Sequence, residues 1–208
     1  MKNKLFARVC AVLLVAALLM VGCSNGQAVI GPSNHSKYVT ALGRSTEEAC
    51  KIFGIRQEDM TEVAKGLYAT PLTAEFAGQT FDVRLGINLM TEERELLQIV
   101  YLTVYPDVSD ATIQAVDAIV AALKEQYGEP TRQSESRKKD ERLPESHTYW
   151  DLTETVSEDL SAYMKQLEEE YGGPAHYQLE LDIVDDEEGC WVNMKYIVGV
   201  IPQRNPSA

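Results

Sequence analysis

Hydrophobic and polar positions alternate along residues 72 to 89. Apolar side chains occupy every second position from Leu72 to Phe76 and from Phe81 to Leu89, and Gly78-Gln79 separates the two runs. Such alternation predicts antiparallel strands with one face buried and the other wet. Residues 96 to 105 are apolar on both faces, which predicts a central strand covered by a helix on at least one face.

A second hairpin is predicted near the C-terminus. Apolar residues alternate with polar ones from Tyr177 to Ile183 and again from Cys190 to Val198, on either side of a polar turn at 185–189. Residues 147–152 resemble a further strand that follows a polar stretch. The sheet is therefore predicted to be mostly antiparallel.

Three segments have the spacing of amphipathic helices. The first begins at Ser45, whose side chain and that of Glu48 form the pattern of a capping box. The second begins near Ser109, and the third near Thr155 or Ser157. Glycines at 54, 128 and 172 are placed to end these helices.

The second and third helices end on a shared pattern, Tyr-Gly-x-Pro, at 127–130 and 171–174. Each glycine is predicted to adopt the left-handed conformation, and each proline prevents the helix from continuing. The pattern fits a repeated helix-then-hairpin unit, and it fits equally two helices that use the same stop signal independently.

These patterns predict an α+β fold. We expect residues 38–208 to form one domain in which three helices pack on one face of the sheet. The alternative is that this domain consists of two or three small repeats, each a helix followed by a hairpin. The opposite face of the sheet would then be available for binding.

The N-terminal region has a different pattern. Lys2, Lys4 and Arg8 precede a run of 13 residues from Val9 to Val21 with no charged side chain. A membrane-spanning helix needs about 20 apolar residues. The shorter run is typical of a cleaved secretory signal, so residues 1–22 are excluded from the fold.

Met20-Val21-Gly22-Cys23 at the end of this run resembles the lipobox of bacterial lipoproteins. The resemblance covers residues 1–26. It implies cleavage before Cys23, diacylglyceryl modification of the Cys23 thiol, and export to the outer side of a bacterial cell membrane. Residues 23–37 are rich in Gly, Ser and Asn and are predicted to be a flexible tether.

The net charge of the chain limits the classes of partner that it can bind. The first 22 residues contain three of the 19 basic residues and none of the 32 acidic ones, so the chain from Cys23 onward has a formal charge of −16. This charge repels nucleic acid, which excludes nucleic-acid binding. The membrane, through the lipid, and a protein or peptide are the expected partners.

Two cysteines, Cys50 and Cys190, remain after Cys10 is removed with the signal and Cys23 is lipidated. Outside the cytoplasm they could form a disulfide. The alternative is two unpaired buried thiols, and sequence spacing does not decide between them.

The sequence contains no recognisable catalytic, metal or cofactor site. The three histidines lack the spacing of metal ligands, and the acidic residues at 185–188 read as a solvated turn. A Gly-x-Ser-x-Gly match at 22–26 straddles the cleavage site, where no nucleophile elbow can form.

The aromatic residues are the strongest indication of binding. Trp150 and Trp191 could anchor a partner on an open sheet face, or could instead pack under the helices. We therefore expect a non-catalytic binding module. An envelope hydrolase would require a cleft that unites a histidine with a carboxylate, and a structural spacer would lack an exposed aromatic patch.

Overall fold

The computed structural model describes residues 28–29, 38–90, 92, 94–136 and 142–200. Within these residues one sheet contains an antiparallel series of eight strands and a short ninth strand that pairs in parallel. The strands are β1 (Ala28–Val29), β2 (Thr61–Ala64), β3 (Leu67–Phe76), β4 (Gln79–Ile87), β5 (Leu96–Tyr105), β6 (Arg132–Ser136), β7 (Glu145–Asp151), β8 (Ala175–Asp186) and β9 (Gly189–Val200).

The order across the sheet is β1-β3-β4-β5-β9-β8-β7-β6, and β2 also pairs with β3. The hairpin β8–β9 therefore lies between β5 and β7, although it comes last in the chain. Its two strands have 12 residues each. This placement makes the C-terminal hairpin the centre of the sheet.

The described residues contain three α-helices, α1 (Thr46–Phe53), α2 (Asp110–Tyr127) and α3 (Glu158–Tyr171). Each begins after a serine whose side-chain oxygen accepts a backbone N–H of the first turn. These serines are Ser45, Ser109 and Ser157. The predicted N-caps are thus confirmed, and Ser157 rather than Thr155 caps α3. None of these helices is long and apolar enough to span a membrane.

The helix ends differ from one another. Gly54 and Gly172 adopt the left-handed conformation that the sequence predicts. Gly128 has φ 79° but ψ −164°, so the prediction of a left-handed turn there is wrong. The extended ψ at Gly128 lets the chain leave α2 directly towards β6. The shared Tyr-Gly-x-Pro pattern therefore has two geometries.

The predicted α+β class, with helices on one face of the sheet, is confirmed. α3 contacts β8 and β9, and the Tyr127 hydroxyl at the end of α2 lies 2.9 Å from the Tyr196 hydroxyl on β9. Apolar residues of α1, α2 and α3 share one core cluster with the inward residues of the strands. In chain order α2 precedes the hairpin β6–β7, and α3 precedes β8–β9.

The other face of the sheet is called the open face below. It carries the strand residues that alternate with the core residues, including Arg84, Val100, Glu180, Asp182 and Lys195. Val100 is only 5% exposed, yet it lies outside the helix-side core cluster. The central strand β5 is therefore buried on both sides, and helices cover one of them.

Candidate partner-binding face of the sheet

Strand register brings distant polar residues together on the open face. His147 on β7 lies opposite Asp182 on β8, and Asp182 lies opposite Asn193 on β9. In the next row, Tyr149 lies opposite Glu180, which lies opposite Lys195. Directly opposed side chains in antiparallel strands lie close enough to interact. The rows therefore assemble a polar surface from three strands.

Four of these residues form what we call the charged cluster: His147, Glu180, Asp182 and Lys195. One Asp182 oxygen lies 2.8 Å from His147 Nδ1, and the other accepts a hydrogen bond from Lys195 Nζ. Lys195 Nζ also lies 3.7 Å from a Glu180 oxygen. Asp182 is 8% exposed, so its carboxylate is screened little by water.

The charged cluster holds its side chains in fixed positions. Gln178 donates a 2.6 Å hydrogen bond to the second Glu180 oxygen, so both acidic residues have partners on each oxygen. His147 contacts Asp182 through Nδ1 and has a half-exposed side chain. Fixed, satisfied polar groups favour specific recognition because binding orders few additional side chains.

Two arginines extend this surface in the row of Lys195. The Arg132 guanidinium lies 5.7 Å from the centre of the Tyr149 ring, within the range of a cation–π contact. Arg84 Nε is buried without a hydrogen-bond partner. Neither guanidinium forms an ion pair among the described residues. The outer guanidinium nitrogens of both arginines can therefore donate hydrogen bonds to a ligand, whereas Arg84 Nε is enclosed and is reached only if neighbouring side chains shift.

The two tryptophans lie on opposite faces of the sheet. Trp191 lies on the open face, half-buried, and its Nε1 donates a 3.0 Å hydrogen bond to Asp186. Trp150 is 2% exposed in the core, and its Nε1 donates to the Gly128 carbonyl. The expectation that Trp150 contacts a partner is therefore corrected, because a residue buried under the helices offers no contact surface.

Cys50 and Cys190 are both free and buried, so the structure has the unpaired alternative rather than the disulfide. The Cys50 sulfur lies 3.5 Å from the Met60 sulfur beside α1. Cys190 lies at the start of β9, opposite Tyr105. Burial, and then the nearby Asp185 carboxylate, raise the pKa of the Cys190 thiol to about 11.

We expect Cys190 to resist thiol reagents in the folded protein. With a pKa of about 11, the thiolate fraction at pH 8 is on the order of 0.1%. Labelling by a disulfide reagent should be slow at pH 8 and complete after unfolding in guanidinium. Prompt labelling of Cys190 in the native protein would contradict the buried position.

The histidine–carboxylate pair expected of a hydrolase exists, but it lies on a sheet surface. Neither His147 nor Asp182 lines either of two cavities present among the described residues. One, of about 300 Å³, lies between residues 40–44 and the start of α3, and the other lies beside the start of α1. No group of three His, Cys, Asp or Glu in the described residues is placed to hold a metal ion.

The charged cluster was not predicted from the sequence, although the alternating pattern of the C-terminal hairpin contains part of it. The turn at 187–188 pairs Asp186 with Gly189, and this pairing alone places Glu180 opposite Lys195. The approach of His147 depends on how β7 aligns with β8, which no local pattern specifies. Comparison of the chain with protein-family models, curated proteins and solved structures found no match in any of the three.

Proposed function

We propose that this protein is an exported bacterial lipoprotein that binds a protein or peptide partner through the open face of its sheet. Lipid on Cys23 would hold it on the outer side of the cell membrane, as the lipobox-like sequence before Cys23 implies. The observation that supports the binding proposal is the charged cluster, which shares the open face with Arg84 and Arg132. Two half-buried aromatic residues, Tyr149 and Trp191, lie on the same face.

The composition of this surface favours recognition by a folded protein or an extended peptide. Trp, Tyr and Arg are the residues most often dominant in interface energetics. Here Trp191, Tyr149 and Arg132 lie on the same face as the satisfied ion pairs. The guanidiniums of Arg84 and Arg132 form no ion pair among the described residues, which favours a partner that presents carboxylates or backbone carbonyls.

A hydrolase is the second candidate, because Asp182 contacts His147 through Nδ1 and Ser134 lies opposite His147 in the register. A buried aspartate that orients a histidine in this way is half of a nucleophilic site. The described residues give Ser134 no hydrogen bond to His147. The arrangement lies on an exposed surface, so water is not excluded from it.

Site-specific photo-crosslinking in cells tests the binding proposal. A benzophenone amino acid at Tyr149 or Trp191 should give one discrete adduct, and the same group at Glu169 on the exposed side of α3 should give none. Arg84→Ala should weaken the adduct from Tyr149, because it removes a donor from the same row. The test uses the full lipidated chain.

Two outcomes would contradict the proposal. Equal adducts from Tyr149 and Glu169 would show that contacts are not confined to the open face. Labelling of Ser134 by a fluorophosphonate, lost in His147→Ala, would replace the binding module with the hydrolase.

A further inference from the structure

The outer edge of β3 pairs with β1, which lies within residues 23–37, so the predicted tether is held to the sheet at residues 28–29. β1 pairs with β3 in parallel register, with Ala28 opposite Ala74 and Val29 opposite Glu75. Only residues 24–27 separate Cys23 from this strand. Five residue steps of extended chain span at most about 18 Å. A lipid on Cys23 would therefore lie within that distance of Ala28 on the edge of β3.

One corner of the sheet, at the β2–β3 turn and the end of β4, carries three exposed apolar residues, which we call the edge patch: Val63, Leu89 and Met90. Their exposed fractions are 48%, 36% and 89%. Val63 is on β2, which pairs along the outer edge of β3. Leu89 packs beside Gly66 in the β2–β3 turn, since a Cβ at Gly66 would lie 3.5 Å from Leu89 Cγ. The loop after β4 thus joins β2 at one corner of the sheet.

Exposed apolar residues are concentrated at this corner. The large apolar side chains exposed by at least about a third in the described residues are Val63, Leu89, Met90, Val104 and Tyr171, and three of the five belong to the edge patch. Clustered exposed apolar groups are typical of a protein or membrane contact. β1 pairs with the same edge of β3 seven residues farther along the strand, at Ala74, so a lipid attached just before β1 favours the membrane as the contact.

We propose that the β3 edge rests on the bilayer that carries the Cys23 lipid, with the edge patch in contact with the membrane surface. This inference depends on the proposed lipidation of Cys23. A patch of three side chains is too small to hold a free protein, but a short tether raises its effective concentration at the surface. Lys65 at the β2–β3 turn carries a positive charge that can pair with lipid phosphates. Glu62 and Glu92 carry negative charges, so a bilayer with neutral headgroups is favoured over an anionic one.

Contact of the β3 edge with the bilayer would determine the orientation of the open face. From β3 to β6 there are six strand spacings, or about 29 Å at about 4.8 Å each. The sheet would stand on its β3 edge, with β6 farthest from the membrane. The open face would be upright and accessible from the side, so membrane contact and partner binding would not compete.

An environment-sensitive fluorophore at position 90 tests the orientation. The lipidated protein would carry Met90→Cys, or Ser134→Cys on β6 as the matched control. Buried Cys50 and Cys190 leave the introduced thiol as the reactive one. In phosphatidylcholine liposomes the label at 90 should shift its emission to shorter wavelength and be quenched by lipids with nitroxide-labelled chains. The label at 134 should do neither.

The outcomes separate the two proposals. Unchanged, aqueous emission at position 90 in protein that floats with the liposomes would overturn the edge contact and leave lipidation intact. Equal shifts at positions 90 and 134 would overturn the orientation. Protein that does not float at all would contradict lipidation itself, and with it the basis of this inference.

Discussion

Replacement of Cys23 with alanine is expected to move the protein from the membrane to the soluble fraction. Each acyl CH₂ buried in a bilayer contributes about 0.8 kcal/mol, so removal of two or more chains removes the dominant attachment. The edge patch alone is too small to compensate. Fractionation after a high-salt wash and labelling of cells with a fatty acid measure the two consequences, release and loss of acylation.

Cys10→Ala is the matched control, because Cys10 lies in the same apolar run but outside the lipobox-like sequence. This variant should remain in the membrane fraction and keep its fatty-acid label. If Cys23→Ala stays in the membrane after salt washing and still incorporates fatty acid, the proposed anchor is wrong.

Trp150→Ala should be the most destabilising single substitution among the aromatic residues discussed. Trp150 is 2% exposed and fills the space between the end of α2 and β7. Truncation of a buried Trp typically costs about 3–5 kcal/mol, because transfer free energy is lost and a cavity remains. The measurement is the free energy of unfolding in denaturant, monitored by far-ultraviolet circular dichroism. Trp150→Ala is introduced into the soluble Cys23→Ala protein, which serves as the reference.

Trp191→Ala is its matched control, since Trp191 is half-buried on the open face. A partly exposed side chain loses less transfer free energy, so we expect a cost of about 1 kcal/mol. The effect of Trp191→Ala should appear instead in partner crosslinking. Equal losses of unfolding free energy in the two variants would contradict the assignment of the tryptophans to opposite faces.

The sequence was sufficient to predict the parts of the fold that depend on neighbouring residues. The serine caps of all three helices, the long alternating strands and the C-terminal hairpin follow from local spacing. Helix caps and two-residue periodicity act within a few positions of the chain. These features are therefore readable without knowledge of the tertiary structure.

The features that define the candidate site depend on strand order and register. His147 meets Asp182 only because β7 pairs with β8 rather than with β5. Tyr149 and Trp150 are adjacent aromatics, and alternation by itself does not say which of them faces the core. Trp150 does, because it lies opposite Leu179 in the buried row.

β2 was not predicted from the sequence, and β6 was expected only as a strand that follows the end of α2, without a pattern of its own. β6 contains only polar residues, all exposed, and β2 is likewise exposed throughout. Hydrophobic alternation arises from burial, so strands that bury nothing lack the signal. Both are stabilised by backbone hydrogen bonds to a neighbouring strand, and that neighbour is set by the tertiary fold.

The composition of β6 has a consequence for copies that share a membrane. Lipid anchoring confines proteins to two dimensions, where collisions between neighbours are frequent and sheet edges can join into continuous ribbons. A short strand with charged residues at both Arg132 and Glu135 and no apolar side chain is a poor template for such joining. If the proposed anchoring holds, the polarity that leaves β6 without a hydrophobic pattern also disfavours edge-to-edge association of neighbouring copies.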